Sequence, residues 1–376
     1  MTAGDAFRDP GRVKDLAATI AGTVAPEATY RLMEFCGGHT HAIARHGLDA
    51  LLPPQVRLIH GPGCPVCVLP VSRLAGALHI ADQPGTILAT YGDMIRVPGP
   101  EGRSLMRAKA DGADVRIVYS PLDALTLARD NPDRTVVFFA IGFETTTPPT
   151  AVAVQQAAAE GLANFRVFCN HVMTPPAMRG ILDDTTAPPL DGIIGPGHVS
   201  TIIGTEPYRE FAEGHGVPVA VTGFEPLDLL HAVYLLVKRV NAGEAGVDNA
   251  YGRALDADGN PQARRVIDAV FIPRESFAWR GLGHLPHSAL ALRDTCAAFD
   301  AERTFSLPDT PEPEPRGCAC PGVIRGRVAP EACRLFGTEC TPENPVGACM
   351  VSSEGACAAR WRRRGAGRKS AAEGAA

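Results

Sequence analysis

Over the first ~225 residues short apolar, β-branched runs alternate with turns rich in Gly, Pro and His and with helical stretches. The runs are Tyr30–Phe35, Val56–His60, Thr86–Tyr91, Val115–Tyr119, Thr135–Phe143, Phe165–Asn170, Gly192–Gly195 and Val217–Thr222. VVFFAIGF is almost wholly apolar, as a strand covered on both faces must be. Strands alternating with helices form βαβ units and parallel sheets, so the expected fold class is α/β. Eight strands fit one sheet, but chain length favours two four-stranded sheets joined near Pro121–Pro132. This gives two α/β domains, residues 1–120 and 121–245, although no close sequence repeat relates them.

Further on, the pattern changes. LDLLHAVYLLVKRV makes a helix from Pro226 to Val240, stopped by Asn241-Ala242-Gly243. A second helical stretch covers Ala263–Val270, and PDTPEPEP (Pro308–Pro315) reads as a stiff linker. Residues 246–376 are expected to form a helical and loop-rich third domain. Its last part is too short and loop-rich to build a core alone, so a metal centre should organise it.

The turns after the strands carry the chemistry: FCGGHTHAI, HGPGCPVC, TYGDMI, GFETTTPPT, CNHVMTPPAM, GPGHVSTIIG and TGFEPLDLL. Parallel sheets bind ligands at the carboxyl ends of their strands. Helix N-termini there favour anions and thiolates. No Walker loop, Gly-x-Ser-x-Gly elbow or dinucleotide fingerprint is present.

Composition narrows the classes. Hydrophobic residues make up 45 % and charged residues 20 %, which excludes a disordered chain, a coiled coil or a small disulfide knot. A net charge of −5 argues against nucleic acid as the main partner. No apolar run reaches the ~18 residues of a membrane span, and MTAGDAFRDPGR lacks a signal-peptide core. A cytoplasmic protein is expected. The basic stretch Arg360–Lys369 reads as a solvated, frayed end.

Eleven cysteines is a high count for a reducing compartment, where metal binding or redox chemistry outweighs structural disulfides. Cys64 and Cys67, as Cys-x-x-Cys in a strand-to-helix turn, suit a redox dithiol, half a metal site, or packing. Cys36 opens Cys-Gly-Gly-His-Thr-His. Two glycines leave its sulfur approachable, and His39 and His41 can deprotonate it, ligate beside it or hydrogen-bond to a bound group. A nucleophile, a ligand of a shared metal and a buried structural thiol all remain open, as does zinc held by Cys36, His39, Cys64 and Cys67. Toward the end, Cys318-x14-Cys333-x6-Cys340-x16-Cys357 fits four thiolates wrapped around a [4Fe–4S] cluster or a zinc ion. The lack of tight Cys-x-x-Cys pairs there favours the cluster, and Cys320 and Cys349 can substitute as ligands. Glu144 suits a cation or a partner amide, or else belongs to an N-cap cluster with Thr145–Thr147. Asp93 is similarly ambiguous. His171 and His198 are core anchors or functional groups, while Cys169 and Cys296 read as packing residues.

MEFCGGHTHAI, HGPGCPVCVLP, FFAIGFETTTP, GPGHVSTIIG and GACMVSSEGAC together resemble the [NiFe]-hydrogenase maturation family HypD, over a span from about Ala17 to Cys357. The resemblance implies two similar α/β domains and a third holding a [4Fe–4S] cluster. It implies association with a HypC-type small chaperone and a HypE-type cyanide donor, on a scaffold that assembles an Fe(CN)2(CO) group. Cys36 would then ligate the iron. Cys64 and Cys67 would be the redox pair, coupled to a cluster on Cys318, Cys333, Cys340 and Cys357. His39, Thr40, His41, Glu144 and His198 would line the site, with His39, Thr40 or backbone N–H groups holding the cyanide nitrogens. The competing readings are a stand-alone thiol–disulfide oxidoreductase using Cys64 and Cys67, and a zinc-bound interaction protein.

Overall fold

The structure is a computed structural model that describes residues 6–307 and 312–373. Each of the eight apolar runs forms a strand, β6 and β7 reaching one residue beyond their runs: β1 Tyr30–Glu34, β2 Val56–His60, β3 Thr86–Thr90, β4 Val115–Ile117, β5 Thr135–Gly142, β6 Phe165–His171, β7 Gly192–Pro196 and β8 Val219–Thr222. A ninth, β9 Val247–Asn249, was not anticipated. All of these pair in parallel. The α/β reading therefore holds.

The strands do not sort as the expected split near residue 120 requires. One sheet has five strands in the order β2-β1-β7-β8-β9, and the other has four in the order β4-β3-β5-β6. The chain leaves the first sheet after β2, builds the second, and returns at β7. An apolar run announces that a strand is buried, not which strand lies beside it. At the junction of β1 and β7 a glycine meets leucine side chains closely. At Gly192, which pairs with Leu32, a Cβ would lie 2.9 Å from Leu32 Cδ2 and 3.2 Å from Leu236 Cδ2. A larger residue there would have to displace the Leu32 and Leu236 side chains.

The helix Pro226–Ala242 packs against helix Pro10–Thr23 and on the five-stranded sheet. It opens with reciprocal hydrogen bonds between Glu225 and Asp228 and ends at Gly243 in the left-handed conformation, φ 64°. The strand pairs Phe271–Pro273 with Leu290–Leu292 and Ser276–Trp279 with Gly283–Pro286 follow, both antiparallel.

The cysteine-rich segment has no separate core. Cys320, Ile324, Phe336, Cys340, Cys349, Met350 and Cys357 belong to the same buried cluster as Cys64, Val66, Cys67, Val68, Val137, Phe139 and Trp279. Shared apolar burial thus supplies part of what a metal was expected to supply. Residues 308–311 of the expected linker lie outside the described residues, and Glu314 beyond them pairs with the buried Arg280. The basic stretch is not simply a solvated end. It lies on helix Ala356–Glu373, which packs against helix Gly37–His46, and Arg360 and Arg363 both reach Asp49. Among the described residues no helix is long and apolar enough to cross a membrane.

Candidate functional site

β1 ends at Glu34, and two residues later Cys36 stands in extended conformation (φ −146°, ψ 123°) as the N-cap of helix Gly37–His46. Glu34 is completely buried. It accepts hydrogen bonds from the Cys36 N–H (2.9 Å), from His60 Nδ1 (2.9 Å) and from the Thr40 hydroxyl. Burial pushes its carboxyl above the usual range, against the pull of these partners.

The turn that follows β2 closes on Cys36. Gly37 N–H donates to Gly63 O (2.9 Å) and Gly61 N–H to Glu34 O (2.9 Å). At Gly63 a Cβ would lie 2.3 Å from Cys36 N, so only glycine allows this approach. The next residues carry the second sulfur pair. Cys64 and Cys67 are joined as a disulfide. Cys64 caps the short helix Pro65–Val68, its sulfur accepting the Cys67 N–H at 3.2 Å.

Cys36 itself is a half-buried free thiol. Its pKa is pushed up to about 12, chiefly by burial and then by the charges of Glu354 and Glu34, while the backbone N–H groups of Gly38 and His39 pull it down. At neutral pH it is a thiol, not a ready nucleophile. A bound metal cation reverses that balance by displacing the proton.

His39 is buried, and burial lowers its pKa to about 4, so the ring is neutral. Its Nε2 lies 3.3 Å from Thr222 O, and a carbonyl only accepts, so that nitrogen carries the proton. Nδ1 is then a bare lone pair, and it has no partner. Phe224 lies between His39, whose ring is tilted to it (centroids 4.9 Å apart), and the exposed ring of His198, which stacks on it (3.8 Å). His41 Nδ1 lies 3.4 Å from Ser353 O in the cysteine-rich segment.

Two residues of this site escaped the sequence reading. Glu354 presses on the start of the Cys36 helix, where a Cβ on Gly37 would lie 2.4 Å from Glu354 Cβ. Its carboxyl is pushed up by burial and by the charges of Asp93 and Glu34. Tyr208 shares a hydrogen bond with Ser200 (2.9 Å). Its hydroxyl is pushed above the usual range by burial, and also by Glu144 and Cys36, so it stands within electrostatic reach of both. Neither residue had a signal beyond its motif: Glu354 sits among cysteines, and Tyr208 follows an unremarked Glu-Pro.

Glu144 is buried and accepts the Thr174 N–H (2.7 Å) and hydroxyl (2.9 Å), fastening the start of helix Thr174–Leu182. Its pKa is pushed up to about 7 by burial. His171 is buried against Thr150 (2.9 Å), and Cys169 donates to Leu290 O (3.3 Å) in the core, as a packing residue does.

All four spacing-selected cysteines, Cys318, Cys333, Cys340 and Cys357, line one small cavity with Cys320 and Cys349. Leu335, Phe336 and Met350 complete an apolar wall. Val346 N–H donates to Cys340 Sγ (3.3 Å), and the sulfurs of Cys320 and Cys349 are 2.8 Å apart. Arg280, fully buried, ties this region to the disulfide turn. Its N–H donates to Val68 O (2.7 Å), its Nε to Leu69 O (3.1 Å), and its guanidinium meets Glu314. Among the described residues no three His, Cys, Asp or Glu side chains are grouped to hold a single metal ion.

Fold and site together define an α/β thiol protein in which a lone cysteine, a disulfide and a six-cysteine cavity adjoin one another. The family described as HypD, Hydrogenase formation hypA family, matches residues 11–364. The chain is 56 % identical over 359 residues to a hydrogenase maturation factor HypD of Azotobacter vinelandii, covering 94 % of this chain and 95 % of the relative. It is 55 % identical to a hydrogenase expression/formation protein HupD of Azotobacter chroococcum, covering 98 % of each. The HypD of Escherichia coli is 46 % identical, covering 96 % of this chain and 97 % of its own length. The chain belongs to the HypD family, and its role lies in hydrogenase maturation.

Proposed function

We propose that this protein is the scaffold and redox component on which the Fe(CN)2(CO) group of [NiFe]-hydrogenase is assembled, in complex with a HypC-type chaperone and a HypE-type cyanide donor. One observation carries the reading: the Cys36 turn and the Cys64–Cys67 turn touch through Gly63, and the latter shares its buried core with the cysteine-rich segment.

Iron enters this scheme as cargo. Cys36 offers a soft donor suited to a low-spin iron carrying cyanide and carbonyl. The space beside Gly37 is taken by Glu354 and that beside Gly38 by Phe224, so diatomic ligands would have to seat against these two side chains. Both suggested side-chain donors are already engaged, His39 through Nε2 on Thr222 O and Thr40 on Glu34. Of the helix-start N–H groups, that of Gly37 is taken by Gly63 O and those of His39 and Thr40 by Cys36 O, so a cyanide nitrogen would turn to that of Gly38, which faces the Cys36 sulfur. The disulfide takes up two electrons and two protons to become the dithiol, and the dithiol returns them as it closes.

The cavity of the cysteine-rich segment fits an iron–sulfur centre by its donor set: soft thiols, an apolar wall and a backbone N–H directed at Cys340 Sγ. Cys318, Cys333, Cys340 and Cys357 would hold a [4Fe–4S] cluster there. Such a cluster supplies electrons one at a time. Arg280 links the disulfide turn to Glu314, just ahead of the cavity cysteines.

Infrared spectroscopy of the anaerobically co-purified complex tests this. Cyanide and carbonyl bands are expected with the wild type and not with Cys36→Ala. Bands that survive the substitution remove Cys36 from the iron. A wild-type complex without bands but with brisk thiol–disulfide exchange favours the stand-alone oxidoreductase instead.

A further inference from the structure

At the amino-terminal end of the five-stranded sheet, away from Cys36, lies a cavity of about 190 Å³. Its wall carries the guanidiniums of Arg31 and Arg325 and the imidazole of His215, with a single carboxylate, Asp184. Asp184 is already occupied: it accepts from Arg325 (2.5 Å), from Arg327 and from Thr186. His215 is engaged by Asp183 (3.0 Å), and the backbone N–H of Arg31 by Asp191 (2.7 Å). Two donor sets are left over. The Arg31 side chain bonds only through Nε, to Pro189 O (3.0 Å). The Nε of Arg325 is buried and meets no acceptor. Arg325 itself lines the cavity, and the guanidinium N–H groups of Arg31 and Arg325 that carry no bond are the donors a ligand oxygen there would satisfy. The rest of the lining includes apolar side chains such as Met33 and Leu190.

We infer that this cavity binds a small organic oxyanion, a carboxylate or phosphate group on a short apolar body, held by Arg31 and Arg325. Size sets the scale, since a cavity of ~150 Å³ takes up benzene. The site would also act as a brace. Met33 belongs to β1, which leads to Cys36, and Arg325 directly follows the helix Cys320–Ile324. A ligand touching both ties the cysteine-rich segment to the strand that delivers the lone thiol.

Calorimetric titration of the full-length protein tests the inference, with benzoate, phenyl phosphate and inorganic phosphate each compared with chloride at equal ionic strength. Saturable binding of about one equivalent is expected for one of the two organic anions. Benzoate and phenyl phosphate separate a carboxylate from a phosphate ligand, and inorganic phosphate shows what the apolar body adds. Affinity should fall about tenfold or more in Arg31→Met, which removes a charge-assisted contact. It should vanish in Leu190→Trp, which fills the cavity, and stay unchanged in Cys36→Ala. No saturable binding of either organic anion, or undiminished binding in Arg31→Met or in Leu190→Trp, overturns the proposal.

Discussion

Gly63→Ala isolates the contact on which the functional reading rests. The added methyl would lie 2.3 Å from Cys36 N, 2.6 Å from Cys36 Cα and 2.6 Å from Phe35 C. All three are backbone atoms, so no side chain can swing aside. Nor can the end of β1 retreat freely. Phe35 N–H is bonded to Ile194 O (3.3 Å) and Cys36 N–H to the buried Glu34 (2.9 Å). The turns must part, which strains the Gly37–Gly63 hydrogen bond. Overpacking of this kind costs ~1–3 kcal/mol, and the bond contributes ~0.5–1.5 kcal/mol. Together they give a loss of about 1.5–4.5 kcal/mol. Gly22→Ala is the matched control: it makes the same change in helix Pro10–Thr23 with no atom within 4 Å. There alanine should stabilise by ~0.5–1 kcal/mol. Urea unfolding of the three proteins, with the native-state alkylation rate of Cys36, measures both consequences. The midpoint should fall and Cys36 should react faster in Gly63→Ala alone. A wild-type midpoint with an unchanged alkylation rate would refute the packing argument and the adjacency of the two sulfur turns with it.

Glu144→Gln keeps the acceptor for Thr174 but removes the charge. The native carboxyl titrates near 7, above its ordinary 4.5, so between those values the folded protein holds a proton that the unfolded chain has released. Wild-type stability therefore falls as pH rises from 4.5 to 7, by up to ~3 kcal/mol at 1.36 kcal/mol per unit. Unfolding midpoints should show the glutamine variant gaining on the wild type across that window, and a pH-independent difference contradicts the buried-carboxyl account. Cys64→Ser should abolish hydrogenase maturation in cells while the anaerobically purified protein keeps the visible absorbance of the proposed iron–sulfur centre. Loss of that absorbance would mean that the disulfide turn, and not only the cavity cysteines, holds the centre.

The local fold was legible because burial writes itself into short patterns. VVFFAIGF became β5, and the helix from Pro226 runs to Ala242, two residues past its expected end. Partnering was not legible. β1 and β7 are neighbours across 157 intervening residues (35–191), and nothing in either run names the other. The cysteines were visible as a set, since their type and crowding survive any fold. Their mutual placement depended on Gly63, whose role lies in the atom it lacks. Glu354 was hidden for a different reason: a glutamate between serine and glycine carries no periodicity, and only tertiary packing brings it to Gly37.

The insertion of β3–β6 between β2 and β7 also sets an order of events on the ribosome. Roughly 130 residues separate His60 from Gly192, so at ~5–20 residues per second the nascent β1–β2 pair waits on the order of 10 s before β7 emerges. During that wait the four strands of the second sheet emerge and can collapse together, while the strand leading to the lone thiol still has one bare edge. Late in translation the six cavity cysteines follow. Anything that captures Cys36 before β7 arrives meets a half-built cradle, and in the proposed scheme iron would reach Cys36 only after β7 has closed the sheet.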